Sequence, residues 1–164
     1  GWAEAKGAVW HVTEKQNLLC IPMRVGSALV GVQMIDRTGA KNYLKGQRTS
    51  EAEYIIDNSG HGARDWLCEG YATGLSLREC LHALRLRYRI HITFSAGNLV
   101  KVAAKHHAGL VVADNDASGT GERAELKTGF PYYLPEAGDF NDEHKKAGTM
   151  RASQNLRKWL VSTK

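Results

Sequence analysis

Trp66-Leu67-Cys68-Glu69-Gly70-Tyr71-Ala72-Thr73 carries an apolar run into an acid, a glycine and the start of a helical stretch; further along, Gly109-Leu110-Val111-Val112-Ala113 runs into Asp114-Asn115-Asp116. Between and beyond these points short apolar runs alternate with helical patterns. Helices are expected over 73–87, 99–105, 121–127 and 152–161, and strands over 66–68, 91–94, 109–113 and 132–134. Strands alternating with helices imply crossovers, and so a mainly parallel sheet flanked by helices. In such a sheet ligands sit beyond the carboxyl ends of the strands, where helix amino termini converge. Glu69, Asp114 and Asp116 each follow a strand and are therefore expected on one rim.

The leading residues have a different grammar. Apolar or β-branched runs over 18–23, 28–35 and 54–56 are punctuated by Gly26, Gly31, Gly39 and Gly46, which reads as a small antiparallel β-rich subdomain. The organisation expected is a β-rich subdomain over 1–63, a catalytic α/β domain over 64–148 and a C-terminal helix over 149–164. Within the 73–87 helix, Leu77, Leu81 and Leu84, with Tyr88 beyond, share one face at helical spacing, which marks a buried stripe. Arg78, His82, Arg85 and Arg89 repeat that spacing one residue on. They form either a solvated flank or an edge that tracks phosphates.

Composition bounds the partners. The 164 residues, 43% hydrophobic, are enough for one compact core. Twenty-two Lys and Arg against 17 Asp and Glu leave a formal charge of +5, which permits a polyanion without requiring one. The cysteines, Cys20, Cys68 and Cys80, are odd in number and lack any C-x-x-C pairing, which disfavours a disulfide framework or a cysteine zinc site. A cytoplasmic setting is expected. The amino end has no signal-peptide h-region, and a chain beginning with Gly rather than Met reads as a segment of a longer polypeptide.

Several carboxylates at one rim repel and raise one another's pKa, so a bound cation is their natural compensation, and all-oxygen ligands select Mg²⁺ or Mn²⁺ over zinc. Gly138-Asp139-Phe140-Asn141-Asp142 follows the next β-α unit and offers Asp139 and Asp142 as further ligands. Taken singly, an Asp-x-Asp is an ordinary turn or helix cap. Other site types find less support. The seven His are scattered, and adjacent His106 and His107 face different ways on a helix. Gly60-His61-Gly62 lacks the rest of a dinucleotide fingerprint, Ser118-Gly119-Thr120-Gly121 lacks the P-loop lysine, and Ser76 has no elbow sequence or His at a fitting spacing.

The combination of Glu69-Gly70 after one strand and Asp114-Asn115-Asp116 after another resembles the Toprim family, the catalytic domain shared by bacterial-type primases, topoisomerases and some nucleases. Glu69-Gly70-Tyr71-Ala72-Thr73 is similar in particular to the Glu-Gly-Tyr-Ala-Thr-Ala motif of primases carried by plasmids and satellite phages, with Gly74 here in place of the final Ala. Ala96-Gly97-Asn98-Leu99, the 138–142 segment and, more loosely, 32–46 also resemble parts of those primases, so the likeness spans about residues 18–145. It implies a Toprim-like sheet. It further implies an enzyme that makes short RNA primers on single-stranded DNA from NTPs, with Asp114 and Asp116 holding Mg²⁺ or Mn²⁺ and Glu69 sharing the metal or moving a proton. Asp139 and Asp142 are the second-choice metal ligands. Lys41 and Lys45, and then Arg78, Arg85 and Arg89, are the expected template or triphosphate contacts. Such primases often carry an amino-terminal zinc module or a helicase, whose motifs do not occur in these 164 residues. A helicase or other replication module is therefore the expected neighbour in the parent polypeptide. A metal-dependent nuclease or strand-cleaving enzyme, and a non-catalytic nucleic-acid-binding module, remain alternatives.

Overall fold

The computed structural model describes residues 9–12, 17–115 and 126–163, with side chains from residue 17 onward. Two sheets share one core. The first is antiparallel, in the order β1 (Val9–Val12), β2 (Asn17–Val25), β3 (Ala28–Ile35), β4 (Lys41–Tyr43). The second is five-stranded and contains β5 (Tyr54–Asn58), β6 (Arg64–Cys68), β7 (Tyr88–Ile92), β8 (Leu110–Val112) and β9 (Tyr132–Tyr133) in the order β5-β7-β6-β8-β9. All its pairings are parallel except that of the edge strand β5 with β7. The expected α/β architecture, with a small β-rich sheet preceding it, is thus present.

In the small sheet Pro22 sits opposite Val32 without breaking a rung. Val32 turns its amide and carbonyl the other way, to the Gln47 side chain at 3.0 and 3.1 Å, so Pro22 and Val32 form a non-hydrogen-bonded pair. Gln47 also occupies the space where a Cβ on Gly31 would stand, 2.8 Å from it.

Helices cover both faces of the large sheet. Tyr88, Ile90 and Ile92 of β7 face α1 (Tyr71–Ala83) and α3 (Phe140–Ser162), whose Leu77, Leu81, Leu156 and Leu160 complete a core that also buries Ile21 and Met23 of β2. Leu67 and Val111 face the opposite way, onto Leu99, Val102 and Ala103 of α2 (Ala96–Ala103). Fully buried residues such as Trp66 and Phe140 would each cost about 3–5 kcal/mol on truncation to alanine.

Three elements differ from expectation. The 54–56 run, grouped with the leading strands by its composition, is β5 and belongs to the large sheet, reached through a two-bond bridge between Arg24 and Glu53. The helix expected over 73–87 ends at Ala83, and Tyr88 opens β7 instead of extending the helical stripe. The stop is a Schellman turn: Arg85 takes φ 56°, its N–H donates to the His82 carbonyl at 2.9 Å, and the Leu86 N–H donates to the Leu81 carbonyl at 3.0 Å. An arginine where glycine is usual hides this ending from the sequence pattern. Finally, α3 starts at Phe140 and breaks at Gly148 (φ 75°, ψ 162°), so the expected 152–161 helix is its second limb. Most of the helix expected over 121–127 lies outside the described residues.

Candidate active site

Glu69 follows the last residue of β6, and Gly70 is the N-cap of α1 with no side-chain cap. The first amide groups of α1 therefore point at the rim, with the positive end of the helix dipole. The neighbouring strand's exit holds the turn in place. Thr93 donates its backbone N–H (2.9 Å) and its hydroxyl (3.1 Å) to the Cys68 carbonyl, and the Phe94 N–H donates to the Glu69 carbonyl at 2.9 Å. Phe94 adopts φ 69°, a left-handed conformation that costs a non-glycine residue about 1–2 kcal/mol. It is offset here by burial, since Phe94 is only 8% exposed.

Asp114 leaves β8 in the same direction, one residue past buried Ala113. Asn115 then pairs with Gly138 through two backbone bonds of 2.8 and 3.0 Å, and its side-chain amide donates to the carbonyls of Pro135 (2.8 Å) and Glu136 (3.0 Å). This clasp pulls the 135–139 loop against the end of β8. Asp139 thereby comes to the rim, where Thr73 Oγ1, fully buried in the first turn of α1, donates to Asp139 Oδ2 at 3.2 Å. The other carboxylate oxygen caps α3, accepting from the Asp142 N–H at 2.8 Å. Ser76 makes a parallel tie to Asn141 at 3.2 Å.

The buried Cys68 thiol registers the convergence of these acids. Its pKa is pushed well above the usual thiol value, first by burial and then by the negative charges of Asp114, Asp139 and Glu69. Glu69, Asp114 and Asp139, from three loops, thus lie near enough to act on one thiol, and they offer oxygens, the donors a hard divalent cation takes. Asp139 stands with Glu69 and Asp114 as a rim acid, whereas Asp142 is exposed in the first turn of α3, where it also favours the helix dipole. Asp116 lies outside the described residues.

The basic residues separate into two groups. Lys41 and Lys45 are exposed on and just after β4, and between them Tyr43 donates its hydroxyl to the Phe94 carbonyl at 3.4 Å. The lysine hairpin therefore borders the turn that holds Glu69. Arg78, Arg85 and Arg89 do not form the single helix stripe their spacing predicts. Arg78 is on α1 and pairs with Glu79 at 2.7 Å, Arg85 is in the turn after the helix, and Arg89 is on β7, paired with Asp65 at 3.0 Å.

A second polar cluster lies on the α2 face of the large sheet, and sequence spacing did not find it. His91, 2% exposed in β7, meets Glu53 through Nδ1 at 2.6 Å and Asp65 through Nε2 at 3.2 Å, while His106 lies edge-on to it with ring centroids 4.5 Å apart. Burial and the neighbouring His91 lower the pKa of His106, against the pull of Asp65 and Glu53. Its donors come from residues far apart in the chain, so no local motif announces it. The segment quoted for its resemblance, Ala96–Leu99, has a positioning role: Asn98 donates to the carbonyls of Ala52 and Thr93, both at 2.7 Å, and accepts from the Glu51 N–H at 2.6 Å.

No protein-family model matches the chain. Solved structures do share its fold. A chain of the bacteriophage T7 assembly of lagging-strand DNA polymerase with two primase domains bound to an RNA/DNA hybrid and dTTP aligns with TM-score 0.69 at 12% identity, over 93% of this chain and 84% of that one. The primase fragment of the bacteriophage T7 primase-helicase protein aligns with TM-score 0.67 at 13% identity, over 95% of this chain and 68% of that one. A DNA primase domain from Pseudomonas aeruginosa aligns with TM-score 0.52 at 13% identity, over 92% of this chain and 56% of that one. The architecture is therefore that of primase domains. Among the described residues, no helix is long and apolar enough to cross a membrane.

Proposed function

We propose that this chain is the Toprim-type catalytic core of a DNA primase of the plasmid or satellite-phage kind, a nucleotidyltransferase that makes short RNA primers on single-stranded DNA. The observation that carries this reading is the placement of Glu69 just after β6 and Asp114 just after β8, which are parallel neighbours, with Asp139 drawn to the same rim by the Asn115–Gly138 clasp and Thr73. The likeness to primase domains supports the same reading.

Nucleotidyl transfer brings a 3′-hydroxyl in line with an α-phosphate and must neutralise charge on the phosphoryl oxygens. Asp114 and Asp116 would hold Mg²⁺ or Mn²⁺, which would supply that neutralisation; Asp139 would be a further ligand, with Asp142 of the same segment. Glu69 joins the metal ligands or takes the proton of the attacking hydroxyl. The α1 amino terminus turns the positive end of its dipole toward the phosphates. Lys41 and Lys45 on the bordering hairpin contact the triphosphate or the template, with Arg78, Arg85 and Arg89 as outlying contacts. The partners are single-stranded DNA, NTPs and, in the parent polypeptide, a helicase or other replication module. The expected setting is the cytoplasm.

Incubation with single-stranded template, NTPs and Mg²⁺ tests the reading. New oligonucleotides support it; shortened template would instead mark a Toprim-type nuclease, and no product a binding module. Glu69→Gln, which keeps shape and removes charge, is expected to abolish synthesis with unchanged circular dichroism. Activity within a few-fold of the unmodified chain refutes the role of Glu69.

A further inference from the structure

The His91 cluster stands apart from the acid rim and has the composition of a metal site. Glu53, His91 and His106 each offer one donor atom, and the three atoms lie within 4.8 Å of one another. They come from three separate elements: the segment between the two sheets, the middle of β7 and the turn after α2. We propose that Glu53, His91 and His106 bind a divalent transition-metal cation of the zinc class, with Asp65 holding the far nitrogen of His91, and that this ion fastens the segment leaving the small sheet to the large one.

The donor chemistry selects the cation. Two imidazoles and one carboxylate suit zinc and its neighbours, whereas Mg²⁺ prefers oxygen ligands throughout. Outer contacts have the form such sites use. Asp65 meets His91 Nε2 at 3.2 Å and is itself held by Arg89 at 3.0 Å, so the chain Arg89–Asp65–His91 orients the ring and leaves Nδ1 for the ion. His106 Nδ1 lies 3.7 Å from Asp65 Oδ2, so the second imidazole stands beside the same carboxylate that holds the first, with the two rings 4.5 Å apart.

The backbone already holds the donors in place. Glu53 exchanges two backbone bonds with Arg24 of β2, at 2.8 and 2.9 Å. Asn98 pins the carbonyl of Ala52 beside it. His91 lies in a strand paired on both sides, and the His106 N–H donates to the Ala103 carbonyl at 2.9 Å. Entry of the ion requires the side chains to adjust around it. Donors about 2.0–2.1 Å from a tetrahedral zinc stand about 3.3 Å apart, so the Glu53–His91 contact opens by about 0.7 Å. The side chains of Glu53 and His106 are 16% and 19% exposed, which leaves an approach for the ion and room for a water as fourth ligand.

Titration of the intact chain with Co²⁺, read by its visible absorption, and with Zn²⁺, read by calorimetry and thermal melting, tests the site. The expected result is one equivalent of ion at this site beyond any taken up by the acid rim, the absorption band of a tetrahedral cobalt centre, and a melting temperature raised by Zn²⁺. His106→Ala and Glu53→Gln should each weaken binding at least about 100-fold and remove the thermal gain, and Asp65→Asn should weaken it by about 10–100-fold. His106→Asn serves in place of the alanine variant if that variant loses its circular dichroism. A Glu69→Gln/Asp114→Asn variant should keep the cobalt band in full, because those residues belong to the other site. The proposal is overturned if no band appears, if it survives His106→Ala or His106→Asn, or if it disappears with the rim variant.

Discussion

Gly74 stands where the resembled motif has alanine, and the packing of α1 gives the reason. A Cβ at Gly74 would lie 2.7 Å from Ile92 Cδ1 and 2.8 Å from Ile92 Cγ1. Both distances are well inside van der Waals contact, and the core around them has no slack, since Ile92 is fully buried. Gly74→Ala should gain about 1 kcal/mol of helix propensity and lose about 1–3 kcal/mol to overpacking, for a net loss of about 1 kcal/mol. Ile92→Val alone should cost about 0.5–1.5 kcal/mol, but it removes the nearer of the two atoms that Cβ would meet. Valine keeps the atom 2.8 Å away, so the cycle is closed with Ile92→Ala, which costs about 2–5 kcal/mol alone but removes both atoms; in that background Gly74→Ala should turn from harmful to neutral or stabilising, a coupling of about 1–2 kcal/mol in the double-mutant cycle. Urea unfolding followed by circular dichroism, with equal m-values across the four proteins, measures it. Because α1 begins directly behind Glu69, the single Gly74→Ala variant should also lose primer synthesis that the double variant recovers. Additivity within about 0.5 kcal/mol would refute the steric account, since that is the behaviour of independent sites.

Three further outcomes follow from other parts of the molecule. Arg85→Gly should raise stability by about 1 kcal/mol, because the Schellman turn holds residue 85 at φ 56°, where glycine is unstrained; an unchanged urea midpoint would count against it. Stability should fall as pH rises from about 9 toward 11: burial pushes the Cys80 thiol from 9.0 up to about 11 and raises Cys68 as well, so the unfolded chain loses these protons first. This contribution is whole below the unfolded thiol pKa, and a Cys68→Ala/Cys80→Ala variant should show a flatter alkaline decline in thermal melts. Binding of single-stranded DNA should weaken with log salt at a slope of roughly −2 to −3 for three or four phosphate contacts, and Lys41→Ala or Lys45→Ala should each lessen it by about 0.7, more than changes at Arg89, which Asp65 already neutralises. Equal slopes for all these variants would show the net +5 to be solubility charge.

Much of the rim was legible in the sequence because its cause is local. An apolar run that ends in an acid and a glycine is a strand leaving the core, and the alternation of such runs with helical patterns implies parallel crossovers, so Glu69 and Asp114 could be placed at strand ends from spacing alone. Long-range pairing is where local pattern fails. Composition groups Tyr54–Ile56 with the strands before it, yet its hydrogen bonds go to β7, because the chain crosses between sheets at the Arg24–Glu53 bridge. Tyr88 fits the helical period of Leu77, Leu81 and Leu84 by coincidence, since both the inward face of α1 and alternate residues of β7 look into one core. Asp139 reaches the rim only through the Asn115–Gly138 clasp. His91 and His106 meet only because α2, packed on β6 and β8, brings the turn after it beside β7. Sequence by itself determined which residues leave strands and which faces are apolar, both set by neighbours within a few positions. The tertiary structure alone decided which strand ends and which polar side chains stand together, since those contacts depend on how distant segments share one close-packed core.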